Sequence, residues 1–424
     1  MSAPATTVER IEAAVAALPA GPLTEDGLQM RVAPLFARVR EAWRGRVYLA
    51  NHSLGRPLDA TDDDVREGVA AWYARMGGAW EPWAAEMQAY RARLARLAGA
   101  PRADCVVPKT SAGQGLRAIL NTHDGVTRVV ATRGEFDSLD VILREYARRG
   151  RIALTLVDAR ADGRFDTADI VAAIGARAGL VVVSEVVFNT GQRLAGLPAI
   201  VAAAHAAGAR VLLDVYHSLG VFPVDVAALD VDFAVGGSYK YLRGGPGACF
   251  LYLHPRHLDG TLRTLDTGWF AKERPFAYLR PDPPAFARGG DGWLESTPSV
   301  LAPFQARAGQ RLALALGVAR LREDSLAKQA ALVHALAERG VAAVGGTPSR
   351  GAFVVVPFDR EPDGFASRVA DRLAARGVVA DARGAYLRLC PDVLTGHDEV
   401  AHAAAEVAAV ASAVRGGARA VGRS

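Results

Sequence analysis

A lysine and an aspartate are the side chains of this sequence whose types and positions offer the clearest chemistry. Lys240 lies in the loop Gly237-Ser238-Tyr239-Lys240-Tyr241, and Asp214 ends a hydrophobic run that begins at Arg210. A lysine held partly out of water has a lowered pKa and becomes a nucleophile toward carbonyl groups. Lysines in glycine-rich loops are more often solvated surface residues, so the assignment depends on what accompanies Lys240.

A lysine that binds the aldehyde of pyridoxal phosphate needs three further groups: a carboxylate at the pyridinium nitrogen, an aromatic or imidazole face, and donors for the phosphate. Asp214 supplies the first, and His217 or Phe136 can supply the second. The turn 109–115 lies between a predicted strand and a predicted helix, where small residues and backbone N–H groups favour an anion. Each group alone also fits a structural role: Asp214 as a cap, His217 and Phe136 as core residues, and Ser111 as a helix N-cap.

The composition excludes several other classes of protein. The chain has 424 residues, of which 50% are hydrophobic and 22% charged, with a formal charge of +5. Arginine is scattered without a basic block, so we expect no nucleic-acid partner. Three cysteines without CxxC spacing argue against a disulfide framework or a metal site. No signal peptide and no apolar run near the ~20 residues of a membrane span are found, so a soluble cytoplasmic protein is expected.

Short apolar runs alternate with helical patterns from Cys105 to Asp214 and predict an α/β protein with a mostly parallel sheet sandwiched by helices. Ligands of such sheets bind beyond the carboxyl ends of the strands, where Thr110, Ser184, Asp214 and Lys240 would lie. A helix from 302 to 321 then leads into a smaller α+β domain. Its predicted strands and helices are 341–344, 353–358, 386–389, 364–376 and 398–414.

We therefore expect four parts of the chain. They are an N-terminal helical segment at 1–45 that packs with the small domain, a large cofactor-binding domain at 46–302, a small domain at 303–415, and a flexible tail at 416–424.

The order of several motifs resembles that of a known family. The segments 214–220 and 238–242 resemble the cofactor-binding pair of the class V aminotransferase-like, fold type I pyridoxal phosphate enzymes. The segment 48–55 resembles the "NSLG" signature of the kynureninase-like members of that family. Three further segments resemble that group: 184–191, Gly268-Trp269-Phe270 and Thr297-Pro298. The sequence departs from the family's Phe-Pro-Ser/Thr-Asp run, which here is Phe136-Asp137-Ser138-Leu139.

The resemblance implies a role for each matching residue. Lys240 would bind pyridoxal phosphate and move the α-proton, with Tyr239 as the proton donor. The implied cofactor-binding residues are Ser111, Gly113, Gln114, Phe136, Asp214, His217, Tyr239, Lys240, Trp269 and Thr297. Trp269 and Thr297 would reach the phosphate of a neighbouring subunit, which implies a homodimer.

The resemblance also implies residues that bind an amino-acid substrate. Arg388 matches the arginine that holds the α-carboxylate, a bidentate task for which arginine is well suited. Trp80 would face the aryl ring of the substrate, although a buried helix aromatic is an equally good interpretation of it. Asn51, in the "NSLG"-like turn, is the third predicted substrate residue.

The implied reaction is the hydrolysis of the Cβ–Cγ bond of L-kynurenine or 3-hydroxykynurenine to alanine and an anthranilate, a step of tryptophan catabolism. The alternative is another class V enzyme acting on a different amino acid: an aminotransferase, an epimerase or a C–S lyase or desulfurase. A desulfurase needs a mobile cysteine, whereas Cys105, Cys249 and Cys390 fall in or beside predicted strands, where cysteines are usually inert. A non-catalytic binding protein would be expected to lack Lys240 and Asp214.

Overall fold

The computed structural model describes residues 7–175 and 178–421, and its N-terminal part is mainly helical. Three short helices are followed by a two-residue strand and by two long helices that meet at the glycines 77 and 78. These elements are α1 (Thr7–Ala16), α2 (Glu25–Gly27), α3 (Ala37–Ala42), β1 (Val47–Tyr48), α4 (Ala60–Arg75) and α5 (Trp80–Ala98). Part of the predicted N-terminal segment, residues 1–6, lies outside the described residues.

A seven-stranded sheet forms the centre of the molecule. Its strands are β2 (Val106–Lys109), β3 (Thr127–Thr132), β4 (Ile152–Val157), β5 (Leu180–Ser184), β6 (Arg210–Asp214), β7 (Phe233–Gly237) and β8 (Cys249–Leu253). The order across the sheet is β2-β8-β7-β6-β5-β3-β4, and β8 alone of these strands runs antiparallel to its neighbours. The predicted mostly parallel sheet is therefore confirmed.

The sheet is covered by helices, which explains its apolar composition. All residues of β5, β7 and β8 are buried, as expected for strands without a face toward water. The connecting helices are α6 (Ala112–Leu120), α7 (Asp137–Arg148), α8 (Thr167–Ile174) and α9 (Leu197–Ala206). Because six strands run in one direction, the loops that follow β2, β5, β6 and β7 meet at one edge of the sheet.

The long helix predicted at 302–321 is two helices. They are α10 (Leu301–Leu316) and α11 (Val318–Ala337), and Gly317 separates them. The φ of Gly317 is 83°, a conformation in which a residue with a side chain is strained, and it ends the first helix. The prediction of one continuous helix was wrong because the side-chain pattern does not reveal the backbone conformation at this glycine.

A smaller sheet follows. It consists of β9 (Val354–Pro357), β11 (Asp381–Arg383) and β12 (Tyr386–Leu389) in the order β11-β12-β9, while β10 (Val378–Val379) pairs with β1 instead. The helices α12 (Phe365–Ala375) and α13 (His397–Val421) accompany it. The strand predicted at 341–344 is absent, and only Val344 forms a single bridge, to Val355.

The two ends of the chain join this smaller part. Val47 of β1 pairs with Val378, and Val47 and Leu49 belong to the core that surrounds the smaller sheet. A third core joins the N-terminal helices to α10 and to Val393 and Leu394. The predicted boundary at residue 46 thus assigns β1 to the large domain although the side chain of Val47 packs in the smaller core.

The C-terminal helix is longer than predicted. α13 continues to Val421, so most of the segment 416–424 that was expected to be a flexible tail has helical backbone. Residues 422–424 lie outside the described residues. Within the described ranges, none of the helices combines the length and apolar character that crossing a bilayer requires.

Candidate active site

Lys240 lies three residues beyond the end of β7 and is buried, with 5% of its surface exposed. Its Nζ is 2.7 Å from Nε2 of His217, which is also buried. Burial lowers the pKa of Lys240, the negative charge of Asp214 raises it in part, and the charge of Arg388 lowers it further. The amine is therefore far easier to deprotonate than a surface lysine.

Asp214 is the last residue of β6 and is equally buried. Its Oδ1 accepts a hydrogen bond of 2.8 Å from the backbone N–H of Tyr216. Burial raises the pKa of this carboxyl, against the Tyr216 N–H and the charge of Lys240, which lower it. A lysine with a lowered pKa near a carboxyl group with a raised pKa is typical of functional sites.

Three aromatic rings surround the lysine. The centroids of Phe136, Tyr216 and Tyr239 lie 5.6, 5.6 and 5.7 Å from Lys240 Nζ. Phe136 directly precedes α7 and is half-buried. The structure thus brings together five of the predicted residues: Lys240, Asp214, His217, Phe136 and Tyr239.

The turn after β1 packs directly against the lysine loop. The backbone N–H of Gly55 donates to the carbonyl of Tyr239 at 2.8 Å. A Cβ added to Gly55 would lie 2.0 Å from the carbonyl oxygen of Lys240, so only glycine permits this approach. The "NSLG"-like signature and the lysine loop, far apart in sequence, are in contact.

Sequence reasoning missed Glu135, a buried carboxyl directly before Phe136. Its Oε1 accepts from the hydroxyl of Thr132 and its Oε2 from that of Ser184, both at 2.6 Å. Ser184 pairs in register with Asp214, so Glu135, in the loop after β3, is joined through Ser184 to the strand next to that of the predicted cofactor carboxylate. Burial raises the pKa of Glu135 to about 7. The signal in the sequence that could have identified Glu135 was its position as an acidic residue just after the buried end of β3.

The predicted phosphate turn is the N-terminus of α6. Ser111 is the N-cap, and its hydroxyl accepts from the N–H of Gln114 at 3.1 Å. The side chain of Gln114 in turn accepts from the N–H and the hydroxyl of Thr110. The space that a Cβ of Gly113 would take is filled by Ile142, so this glycine permits α7 to approach. Binding of a phosphate by these residues remains a prediction.

Arg388 lies on β12 and is almost fully buried. Its Nε and Nη2 donate to Asp381 at 2.7 and 2.6 Å, and its Nη1 donates to the carbonyl of Phe188. The ring of Phe188 packs edge-on against Phe136 at 5.5 Å. The predicted carboxylate-binding arginine therefore lies next to the residues around Lys240, and its partner Asp381 was not foreseen.

Asn51 has a structural role in the contacts that the structure shows. Its amide nitrogen donates to the carbonyl of Cys390 at 2.9 Å, and this joins the turn after β1 to the end of β12. Its Oδ1 is buried without a partner among the described residues. A small cavity of about 40 Å³ is lined by both Asn51 and Lys240. Contact of Asn51 with a substrate remains a prediction.

Trp80, Trp269 and Thr297 form a separate group. The ring of Trp80 lies 6.3 Å from that of Trp269, and both rings contact Phe270 and Phe276. The indole N–H of Trp269 donates to the Thr297 hydroxyl at 3.1 Å within the same chain. Among the described residues, no ring contact joins Trp80 to the rings around Lys240, and its proposed role at an aryl group stays a prediction.

A fold with this sheet order and a buried lysine, aspartate and histidine at the carboxyl edge can be compared with known families. The Aminotransferase class-V family model matches residues 58–384. The chain belongs to this family and has fold type I of the pyridoxal phosphate enzymes.

Within the family the chain is kynureninase-like. It is 33% identical to a kynureninase of Salinispora tropica over 382 residues, which are 79% of this chain and 83% of that protein. It is 41% identical to a kynureninase of Deinococcus radiodurans over 143 residues, 34% of each chain. An uncharacterized aminotransferase of Bacillus subtilis, YcbU, is 30% identical over 205 residues, 48% of this chain and 52% of that protein.

Solved structures with the same fold are less similar in sequence. A mutant of the cystine C–S lyase C-DES, with glycine covalently linked to its pyridoxal phosphate, has a TM-score of 0.78 and 19% identity, and covers 88% of this chain and 98% of its own. The cysteine desulfurase CsdA of Escherichia coli has a TM-score of 0.74 and 18% identity, and covers 92% and 99%. At these identities the likeness shows the fold alone.

The residues present fit pyridoxal phosphate, which is the cofactor of this enzyme family. The buried amine of Lys240, the buried carboxyl of Asp214 and the half-exposed ring of Phe136 match an aldehyde, a pyridine nitrogen and an aromatic ring. In addition, Nδ1 of His217 is buried without a partner among the described residues. Buried polar atoms without partners are rare in native proteins and indicate a group that completes the site.

Proposed function

We propose that the protein is a kynureninase-like hydrolase, which cleaves the Cβ–Cγ bond of L-kynurenine or 3-hydroxykynurenine to give alanine and an anthranilate. The observation that carries the proposal is the buried Lys240 amine, 2.7 Å from His217 and within the electrostatic reach of Asp214. The 33% identity to a kynureninase over most of both chains supports this substrate over others.

Lys240 is the residue that we expect to move protons. Pyridoxal phosphate, when bound, supplies an electron-withdrawing ring that stabilises negative charge at the substrate's α-carbon. Lys240 takes the proton from that carbon and returns it later, a task for which a lowered pKa is required near neutral pH. Asp214 would hold the pyridine nitrogen with its carboxylate, and Phe136 would keep water from one side of the ring.

Cleavage of the carbon–carbon bond also needs a water molecule and a proton donor. We assign the donor role to Tyr239, whose ring centroid is 5.7 Å from Lys240 Nζ. Burial raises the pKa of Tyr239 above its usual value, so its hydroxyl keeps its proton at neutral pH. Water adds to the γ-carbonyl, and the acyl carbon leaves as the carboxyl group of the anthranilate.

Substrate recognition would be divided between two places. Arg388 would bind the α-carboxylate, and Trp80 the aryl ring. We also propose that two copies form a homodimer in the cytoplasm, in which Trp269 and Thr297 reach the phosphate of the other copy. Sedimentation of the purified holoprotein tests the dimer, which a monomer at micromolar concentration would contradict.

Product analysis tests the reaction. The holoprotein is incubated with L-kynurenine or 3-hydroxykynurenine without any keto acid, and alanine and the anthranilate are measured by chromatography. We expect equal amounts of both products, and none with the Lys240→Ala variant. Holoprotein that binds the cofactor but forms no anthranilate from either compound would exclude the proposal.

An aminotransferase is the second candidate, because the similarity to YcbU extends over 48% of this chain. The same experiment with an added keto acid separates the two reactions, since transamination consumes the keto acid and leaves the Cβ–Cγ bond intact. A desulfurase is disfavoured. All three cysteines are buried, and burial raises the pKa of each thiol, which makes them poor nucleophiles.

A further inference from the structure

Asp381 takes up most of the hydrogen-bonding capacity of Arg388. An arginine has five N–H groups, and Asp381 accepts two of them, from Nε and Nη2. The Phe188 carbonyl accepts a third, from Nη1. One N–H on Nη1 has no partner among the described residues, and the second N–H on Nη2 makes only a long hydrogen bond of 3.4 Å to the hydroxyl of Ser53, which a carboxylate could replace. One N–H on each terminal nitrogen is the set that a carboxylate can accept side by side.

The backbone fixes this pair. Asp381 and Arg388 lie directly opposite each other in the antiparallel hairpin of β11 and β12, with the turn at Gly384 between them. Cross-strand neighbours have Cβ atoms about 5 Å apart, so the two side chains meet without any change of the main chain. The orientation of the guanidinium is therefore determined by the hairpin.

Asp381 is in turn held by a second segment of the chain. Nε2 of His52 lies 3.0 Å from Oδ1, and the hydroxyl of Ser53 donates to Oδ2. His52 is fully buried and stacks on Phe353 at 4.8 Å. Burial, with the charge of Arg388, lowers the pKa of His52 to about 4, so its ring is neutral and donates through Nε2. Burial would raise the pKa of the Asp381 carboxyl, but His52 and Arg388 hold it far below its usual range.

We propose that Asp381, held in place by His52 and Ser53, is a positioning residue for carboxylate recognition, which leaves only the outer N–H groups of Arg388 for the ligand. The inference rests on the proposed function of Arg388 and names the residues that give it its geometry. It also has a consequence for selectivity. Because Asp381 neutralises the charge of Arg388, recognition depends on the two aligned N–H groups rather than on a surplus of positive charge.

Two small amines test the proposal without any reference to kynurenine. L-Alanine and ethylamine both carry a primary amine, and only alanine carries a carboxylate. Their affinities for the holoprotein are measured from the change in visible absorbance of the bound cofactor. We expect Asp381→Asn to lower the affinity for alanine by about 10- to 100-fold and to change the affinity for ethylamine by no more than about twofold. A misoriented Arg388 loses its contact with the carboxylate, which only alanine carries.

Matched variants control for general damage. Asp359→Asn changes an exposed aspartate near the same sheet and should alter neither affinity. Asp381→Glu keeps the charge and should restore part of the preference for alanine. His52→Gln keeps a donor near the Nε2 position and should retain more of that preference than His52→Phe, which keeps the packing against Phe353 but has no donor.

The outcomes are distinct. Equal weakening of both amines by Asp381→Asn would mean a general structural effect and would overturn the proposal, as would no change in either affinity. If Asp381→Asn does not fold, the comparison of His52→Gln with His52→Phe decides. Equal affinities of these two variants for alanine would overturn the proposal. Failure to cleave kynurenine, with the selective loss of alanine binding intact, would remove the proposed reaction and leave this inference in place.

Discussion

Two buried aspartates lie at opposite edges of the same sheet, and they differ in the number of hydrogen bonds that each carboxylate accepts. Asp214 ends β6 at the carboxyl edge, and Asp232 directly precedes β7 at the amino edge. Asp232 accepts three short hydrogen bonds, from His205, His257 and the backbone N–H of Val211. Asp214 accepts one, from the N–H of Tyr216.

The pKa values follow from this difference. Burial would raise the pKa of Asp232, but the hydrogen bonds from His257 and His205 lower it to about 2. At Asp214 burial prevails, and the pKa is raised. A buried charge that is fully paired belongs to the structure, whereas a buried charge with unused capacity needs a ligand to complete it. The carboxyl edge of the sheet therefore carries the aspartate that needs a ligand, and the amino edge carries the aspartate whose partners lie within the chain.

The largest effect is expected at Lys240. Lys240→Ala removes the amine that we propose binds the cofactor, so the visible absorbance of the holoprotein and all turnover should be lost. Lys272→Ala, at a lysine that is only half-buried, is the control and should keep both. An absorption spectrum of each purified protein with added pyridoxal phosphate decides it, and a coloured Lys240→Ala protein would contradict the assignment.

The two aspartates should respond oppositely to the same substitution. Asp214→Asn should lower turnover by about 100-fold or more, because the pyridine nitrogen loses its charged partner, with little change in the melting temperature of the apoprotein. Asp232→Asn should lower stability by roughly 1–3 kcal/mol, since His205 and His257 lose a charged acceptor, and should keep turnover. Kinetics and thermal unfolding of both variants test this; similar profiles for the two would erase the distinction.

Glu135 should give a pH-dependent effect of intermediate size. Its pKa in the folded protein, about 7, lies above the 4.5 of the free group. The carboxyl of Glu135 therefore contributes roughly 3 kcal/mol to the free energy of unfolding. This contribution is fully present below about pH 4.5 and is lost as the pH rises through 7. Glu135→Gln should reduce the change of the unfolding free energy with pH between these two values. Chemical unfolding of both apoproteins at pH 5 and pH 8 measures it, and parallel slopes would show that Glu135 does not titrate there.

Much of the carboxyl edge could be predicted because its chemistry depends on residue type at the ends of apolar runs. Asp214 ends a strand whose hydrophobic pattern is unmistakable, and Lys240 follows the next one. The parallel sheet brings such ends together whatever the helices between them contain. Asp381 was missed because it lies on a three-residue strand without a periodic pattern. The turn glycine at 384 was the one available signal that places it opposite Arg388.

The errors in the fold have a similar cause. β1 pairs with β10, which lies more than 300 residues later, and no local pattern predicts such a contact. The break at Gly317 depends on a backbone conformation that a helical pattern of side chains does not reveal. The proposed phosphate contacts of Trp269 and Thr297 would require a second copy of the chain, which a single sequence does not describe.

The smallest expected effect concerns Ser111, which lies at the functional edge but has a satisfied hydroxyl. That hydroxyl caps α6 by accepting from the N–H of Gln114. Ser111→Ala should therefore cost about 1 kcal/mol of stability, the usual contribution of an N-cap. If the same hydroxyl also donates its proton to the cofactor phosphate, the affinity for pyridoxal phosphate should fall by about tenfold, whereas Ser111→Thr should preserve both properties. Thermal unfolding and cofactor titration of the two variants separate the roles. A loss of stability with unchanged cofactor affinity would place Ser111 with Asp232, among the groups whose partners lie within the chain.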